Sequence, residues 1–280
     1  MTKRAIIAGK GVLPRLLAEA TKGAGADPVV VDFGTTDLDW IDGYSVIRAK
    51  FEKSGAFFRA LRREGVTEVV FGGGMERPKL NPIKMDRHFL SKAPQLLRAI
   101  RGGDDGLLRS IAAWFEEEGF TIVAPQDVVS DLIAPNGVWG RHYPSEQDDL
   151  DMDRGVQILE ALAPQDVGQA CVVSGGICFG IETIQGTDAL LNFVMQTEQR
   201  LQPPPSTKQG VLVKLPKVGQ EQRIDLPSIG TDTVHAAKAA GLSGIAVMEN
   251  GALVLGLQDV VAAADEAQMF LMGLPDVDAS

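Results

Sequence analysis

Ala5–Ala8 is a short apolar burst, Gly9-Lys10-Gly11 follows, and from Val12 to Ala20 the apolar positions recur at helical spacing. The pattern predicts a strand, a glycine turn and a helix. Pro14 suits the first helical turn, where its missing N–H costs nothing and neighbouring amides can face an anion. A second apolar run, Pro28–Phe33, completes a βαβ unit. Strands are predicted again at Tyr44–Ala49 and Glu68–Phe71, separated by the helical pattern of Gly55–Arg63, and this alternation implies a mostly parallel sheet. Glu68–Phe71 runs into Gly72-Gly73-Gly74, a place where backbone can approach a ligand. From Lys84 to Glu118 the periodicity is helical, interrupted by Arg101-Gly102-Gly103-Asp104-Asp105-Gly106, with Asp104 or Asp105 expected to cap the second helix. A last strand, Phe120–Ala124, closes a first domain spanning 1–134.

The pattern changes between Ala134 and Asp153, where Pro135, Asn136, Gly137, Gly140, Pro144 and an acidic run from Glu146 predict a linker over 135–152. A separate, mixed α/β domain is expected over 153–280. It begins with a helix at Arg154–Leu162 and a hairpin of Gln169–Ser174 with Ile177–Glu182 around Gly175-Gly176. The polar segment Glu182–Asp188 follows, then a helix at Ala189–Arg200, a strand at Gly210–Leu215 and a helix at Thr231–Ala240. Asn250-Gly251 predicts a hairpin of Gly244–Met248 with Ala252–Leu255, and Asp259–Met272 reads as a final amphipathic helix with Met269–Met272 in the core.

Composition narrows the function classes. The 280 residues exceed one typical domain and suggest two; 45% are apolar and 23% charged, an ordinary folded α/β balance. A net charge of −10 argues against the broad basic surface that nucleic acid needs, so an anionic ligand must meet locally gathered cations. Cys171 and Cys178 form no CxxC pair, and His88, His142 and His235 show neither triad nor zincin spacing. No run approaches the roughly 18–20 apolar residues that span a bilayer, and the first residues lack the apolar core of a signal peptide. A cytoplasmic protein, peripheral at most, is expected.

The densest chemistry lies in Lys214–Gly230, which brings Lys214, Lys217, Arg223, Glu221 and Asp225 into one loop punctuated by Pro216, Gly219 and Pro227. Cations beside a carboxylate are what a phosphate site with a metal requires, and Asp225 is the foremost candidate. A solvated, charged hairpin is the competing reading. The Gly9/Gly11 turn with Asp32 also imitates a dinucleotide site, but Pro14 stands where the third glycine belongs.

Taken in order, Gly9-Lys10-Gly11-Val12-Leu13-Pro14, Gly72–Pro78, Gly103–Leu108, Glu182–Asp188 and Gln222-Arg223-Ile224-Asp225-Leu226-Pro227 resemble one family along the whole chain. It is the UDP-2,3-diacylglucosamine pyrophosphatase of lipid A biosynthesis, in the two-domain form unrelated to calcineurin-like phosphoesterases. The resemblance implies a Rossmann-like first domain, Mg²⁺ dependence, and hydrolysis to UMP and 2,3-diacylglucosamine 1-phosphate (lipid X) by water attack on the sugar-side phosphorus. It also implies a lipid-linked UDP-sugar as substrate and a peripheral station on the cytoplasmic face of the inner membrane. Asp225 is then catalytic, with Asp225, Asp188 and Glu182 as metal carboxylates. Gly11, Val12, Gly73, Gly74, Arg77, Thr187, Asp188, Lys214 and Arg223 are the expected substrate contacts. The rivals are a nicotinamide-dependent oxidoreductase and a non-catalytic lipid or nucleotide-sugar carrier, and a homodimer is the expected assembly on base rates.

Overall fold

Strand β1 (Lys3–Ala8) is followed by helix α1 (Leu13–Gly23), which turns Leu13, Leu17, Ala18 and Thr21 inward, one side of a helix. The computed structural model describes residues 2–75, 80–100, 104–198, 209–217 and 220–275, without the side chains of Ile100, Asp104, Asp105 and Glu198. Within it the chain divides into two compact units, Met1–Ser130 with Glu221–Asp225, and Asp131–Gln220 with Leu226–Ser280.

In the first unit, β2 (Val29–Asp32), β3 (Ser45–Arg48), α2 (Ser54–Arg63), β4 (Val66–Gly72), α3 (Arg87–Ile100), α4 (Asp104–Glu117), β5 (Thr121–Val123) and the short α5 (Pro125–Val128) follow. The sheet is five-stranded, fully parallel and ordered β3-β2-β1-β4-β5. That order reverses between β1 and β4, the switch point where parallel α/β sheets open a crevice at their carboxyl ends. The Rossmann-like expectation is met. Below the sheet, Phe57, Phe58 and Leu61 of α2 meet Trp114, Phe115 and Phe120 in an aromatic core. Truncating the fully buried Phe58 to alanine removes about 3–5 kcal/mol of support by this kind of packing.

The second unit carries β6 (Gly137–Trp139), α6 (Glu146–Leu162), β7 (Ala170–Ser174), β8 (Ile177–Ile181), α7 (Thr187–Glu198), β9 (Val211–Lys214), β10 (Ser228–Ile229), α8 (Thr231–Ala239), β11 (Gly244–Met248), β12 (Leu253–Val254), α9 (Leu257–Glu266) and β13 (Phe270–Leu274). Its main sheet is mixed, ordered β6-β13-β11-β9-β7-β8, with β13, β11 and β9 parallel and β6, β7 and β8 antiparallel to their neighbours. Strands β10 and β12 form a small parallel pair.

Three expectations are corrected here. Residues 135–152 are no free linker: β6 pairs with β13, and α6 begins at Glu146 because Ser145 and Asp148 close a reciprocal N-terminal cap. Asn250-Gly251 makes a turn, with Asn250 at φ 55°, but no hairpin. Both edges of β11 are already taken by β9 and β13, so β12 leaves the sheet and pairs with β10. The last helix stops at Glu266, Gln268 adopts φ 54°, and Phe270–Leu274 continue as a strand. A strand buried on both faces reads as a continuous apolar run, which is why it passed for a helix end. Met269, Phe270 and Leu271 are core, as expected. Among the described residues no helix is long and apolar enough to cross a membrane.

Candidate active site

In the first unit the carboxyl ends of β1 and β4 interlock through backbone alone. Gly9 N–H donates to Gly72 O at 2.8 Å and Lys10 N–H donates to Gly74 O at 2.7 Å. A Cβ on Gly9 would lie 2.5 Å from Gly73 O, and one on Gly73 would lie 2.0 Å from Lys10 O, where φ is also +79°. These two glycines are required for packing. Gly11 (φ +86°) and Gly74 instead have nothing within 4 Å of a Cβ, so their outer faces border open space beside the half-exposed Val12 at the start of α1. Of the five contacts expected on these two loops, Gly11, Val12 and Gly74 border open space, while Gly73 is packed against Lys10 O. Arg77 lies outside the described residues.

The dinucleotide reading finds no support in the same turn. Two amides are committed to Gly72 and Gly74, and Asp32 Oδ1 accepts from Gly34 N–H at 2.6 Å.

Glu221–Asp225 belongs to the first unit although the residues on both sides belong to the second. Its turn is closed by Ile224 and Asp225 N–H groups donating to Glu221 O, and Ile224 packs on the aromatic core. Arg223 binds Glu221 in a fork, Nε–Oε1 and Nη2–Oε2 both at 2.8 Å, and its Nη1 reaches Glu116 Oε1 on α4 at 2.6 Å. The Arg223 hydrogen bonds hold the Glu221 carboxyl below its ordinary value, helped by Arg109, and Glu221 and Glu116 raise the guanidinium further. Glu116 and Arg109 were missed in the sequence. Their signal was a seven-residue spacing that puts opposite charges on one face of α4, facing the Glu221/Arg223 pair. Asp225, half-buried, closes this segment.

In the second unit Lys214 is 5% and Glu182 7% exposed. Lys214 Nζ donates to Thr187 Oγ1 at 2.8 Å and Ser228 O at 3.1 Å; Thr187 Oγ1 donates to Glu182 Oε1 at 2.7 Å; Glu182 Oε2 accepts from Gln169 N–H at 3.2 Å. A hydroxyl thus bridges a buried cation and a buried carboxylate. Lys217 pairs with Asp166. The cations that made the Lys214–Gly230 loop look ready for phosphate are therefore engaged with the protein's own acceptors.

Both oxygens of Glu182 accept hydrogen bonds within the protein, Oε1 from Thr187 and Oε2 from the Gln169 amide. Asp188 sits exposed in the first turn of α7, where the helix dipole favours it. Among the described residues no three His, Cys, Asp or Glu side chains gather as a metal cage. Beside Thr187 a groove of about 300 Å³ runs between β8 and α7, lined by Gly180, Ile181, Thr183, Gly186, Leu190 and Phe193.

Architecture and site together define a two-domain α/β protein with a glycine-built turn at the carboxyl ends of a parallel sheet in one unit and a Lys–Thr–Glu bridge in the other. The LpxI N-terminal domain model matches residues 3–132 and the LpxI C-terminal domain model matches residues 135–272. The UDP-2,3-diacylglucosamine pyrophosphatase LpxI of Caulobacter vibrioides is 36% identical over 277 residues, covering 98% of each chain. The chain belongs to the LpxI family. Among solved structures, Bordetella bronchiseptica WbmG in complex with NAD matches at 21% identity, 42% of this chain, 34% of that one and a TM-score of 0.26. CobK precorrin-6A reductase matches at 14% identity, 99% and 88% coverage and a TM-score of 0.34. Neither likeness is close enough to carry an argument.

Proposed function

We propose that this chain hydrolyses the pyrophosphate of UDP-2,3-diacylglucosamine to UMP and 2,3-diacylglucosamine 1-phosphate in lipid A biosynthesis. The observation that carries this reading is the 36% identity to the Caulobacter vibrioides pyrophosphatase across 98% of both chains. The Arg223-Ile224-Asp225-Leu226-Pro227 segment supports it from within: a fork of charge-assisted bonds fixes Arg223, so Asp225 is presented at a defined place on the first unit.

Asp225 orients the attacking water and accepts its proton as the oxygen closes on the sugar-side phosphorus. The amides and open faces of Gly11, Val12 and Gly74 receive the nucleotide phosphates, as backbone at a helix start does. Arg223 keeps the Asp225 segment in place, and donors left over from its fork add positive field. Thr187 and Lys214 hold the polar centre of the second unit in shape rather than neutralise phosphate. The β8–α7 groove, with Ile181, Leu190 and Phe193 in its lining, shelters acyl carbon. Asp225 is the carboxylate that would hold Mg²⁺, a cation that commonly keeps waters and takes one or two protein carboxylates. Bound there, it would offset charge on the diphosphate oxygens. The protein works at the cytoplasmic face of the inner membrane, where its substrate resides.

The test is UMP release from UDP-2,3-diacylglucosamine with and without Mg²⁺, on native protein and Asp225→Ala. Metal-dependent release by the native protein alone, with the variant folded, supports the reading. Lipid binding without turnover by either protein overturns catalysis and leaves a carrier.

A further inference from the structure

Helix α3 buries one face and offers the other. Phe89, Ala93 and Leu96, spaced i, i+4, i+7, pack into the aromatic core with Trp114. Arg87, Leu90, Pro94, Leu97 and Arg98 point outward along the opposite side. Leu90 is 51% and Leu97 63% exposed, and Ile83, in the single 3-10 turn Pro82–Lys84 just before the helix, is 94% exposed. A folded chain gains nothing from showing large aliphatic side chains to water in a row, so this face is kept for something apolar.

The charge around it says what. Residues 80–100 hold Lys84, Arg87, Lys92 and Arg98 against one carboxylate, Asp86, in a protein whose net charge is −10. Asp86 is turned inward, accepting from Gly55 and Phe89 N–H groups, and Lys92 is paired with Glu117. Lys84, Arg87 and Arg98 remain exposed among Ile83, Leu90 and Leu97. Exposed aliphatics interleaved with cations on one helical face suit the headgroup layer of an anionic bilayer, into which apolar tips sink while cations meet lipid phosphates.

The location agrees. Asn81 N–H donates to Glu52 Oε1 at 3.1 Å and Asp86 N–H to Glu52 O at 2.8 Å, and Glu52 lies in the turn Phe51–Lys53 directly after the carboxyl end of β3. In a fully parallel sheet all carboxyl ends share one edge, so the basic, apolar face flanks the edge that holds the glycine crevice.

We propose that the outward face of Pro82–Lys84 and α3 docks the protein on an anionic lipid bilayer, beside the crevice that receives the lipid-linked substrate. This rests on the hydrolase reading for its purpose but not for its test. Full-length protein is floated with vesicles of phosphatidylcholine, with and without phosphatidylglycerol, alongside Arg87→Glu/Arg98→Glu and Ile83→Ser/Leu90→Ser/Leu97→Ser. Circular dichroism confirms that each variant folds. Native protein is expected to float with phosphatidylglycerol vesicles and to be released by salt. At roughly fivefold per cation, the charge reversal lowers partitioning at least about 25-fold, and the serine variant loses flotation too. Native protein that ignores phosphatidylglycerol, or variants that float equally well, would overturn the inference. So would a native dimer in lipid-free solution that the serine variant dissolves, which assigns the face to a second copy. UMP release from substrate in detergent micelles separates the two readings: turnover without flotation retires the docking face alone, and flotation without turnover retires the hydrolase alone.

Discussion

The two units solve the same problem with opposite materials. In the first, the crevice is made of backbone, with Gly9 and Gly73 in such close contact that a single Cβ would lie 2.0–2.5 Å from a carbonyl oxygen. In the second, the polar centre is made of side chains, with Glu182 and Lys214 buried and Thr187 at the start of α7 between them. A backbone-built site has no adjustable part, whereas a side-chain bridge can lose one member and be mended by changing another. That difference is measurable.

Gly73→Ala is the most severe test. Its Cβ meets Lys10 O at 2.0 Å with φ at +79°, so relief requires moving the ends of both β1 and β4. The expected loss is on the order of 5 kcal/mol, comparable with the whole stability of many domains. Urea unfolding of the variant should show a transition shifted to very low denaturant, or no folded baseline. A midpoint within the error of native protein would mean that the interlock is looser than the geometry states.

Lys214→Met comes next. It leaves Glu182 buried with only Thr187 and the Gln169 amide, and breaking a buried pair from one side costs about 3 kcal/mol. Adding Glu182→Gln to that variant should restore about half of the loss, because no uncompensated charge is then left inside. A cycle of four urea midpoints checks this. Strict additivity of the two changes would show that the bridge does not act as a unit.

The same contrast explains what the sequence made legible. Apolar bursts alternating with helical periodicity announced the parallel first sheet, because strands and helices there follow one another in chain order. The hairpin β7–β8 was legible for the same reason. The second sheet defeated local reading at β12 and β13. What decides their partners is which edges of β11 remain open, and that is set by β9, some thirty residues earlier. Among site residues, Asp225, Thr187 and the Gly9–Gly11 turn were visible as chemistry. The engagement of Lys214, Lys217 and Arg223 was not, since their acceptors Thr187, Asp166 and Glu116 lie 27, 51 and 107 positions away. Charge density in a loop shows that charges must be satisfied, and says nothing about who satisfies them.

The gentlest probe concerns the Arg223 clasp, which mixes both materials by fastening a short backbone turn with a side-chain fork. Glu221 is 15% exposed on its side chain and Arg223 42%, so solvent screening limits the pair to about 1 kcal/mol. Because the folded Glu221 carboxyl is held below its ordinary value of 4.5, this contribution is fully present above that value and fades as pH falls through the lowered one. Glu221→Gln should therefore be less stable than native protein by about 1 kcal/mol at neutral pH. The two should converge once the medium is acid enough to protonate the folded carboxyl. Paired urea curves along a pH series read the difference directly. Turnover should fall more than stability does, because the fork also holds the turn that ends at Asp225; a variant with native kcat would separate the clasp from the catalytic carboxylate. A gap in stability that stays constant down to acid pH would mean that the Glu221 side chain stabilises the turn through its shape and neutral hydrogen bonds, leaving Arg223–Glu116 as the ionic tie to α4.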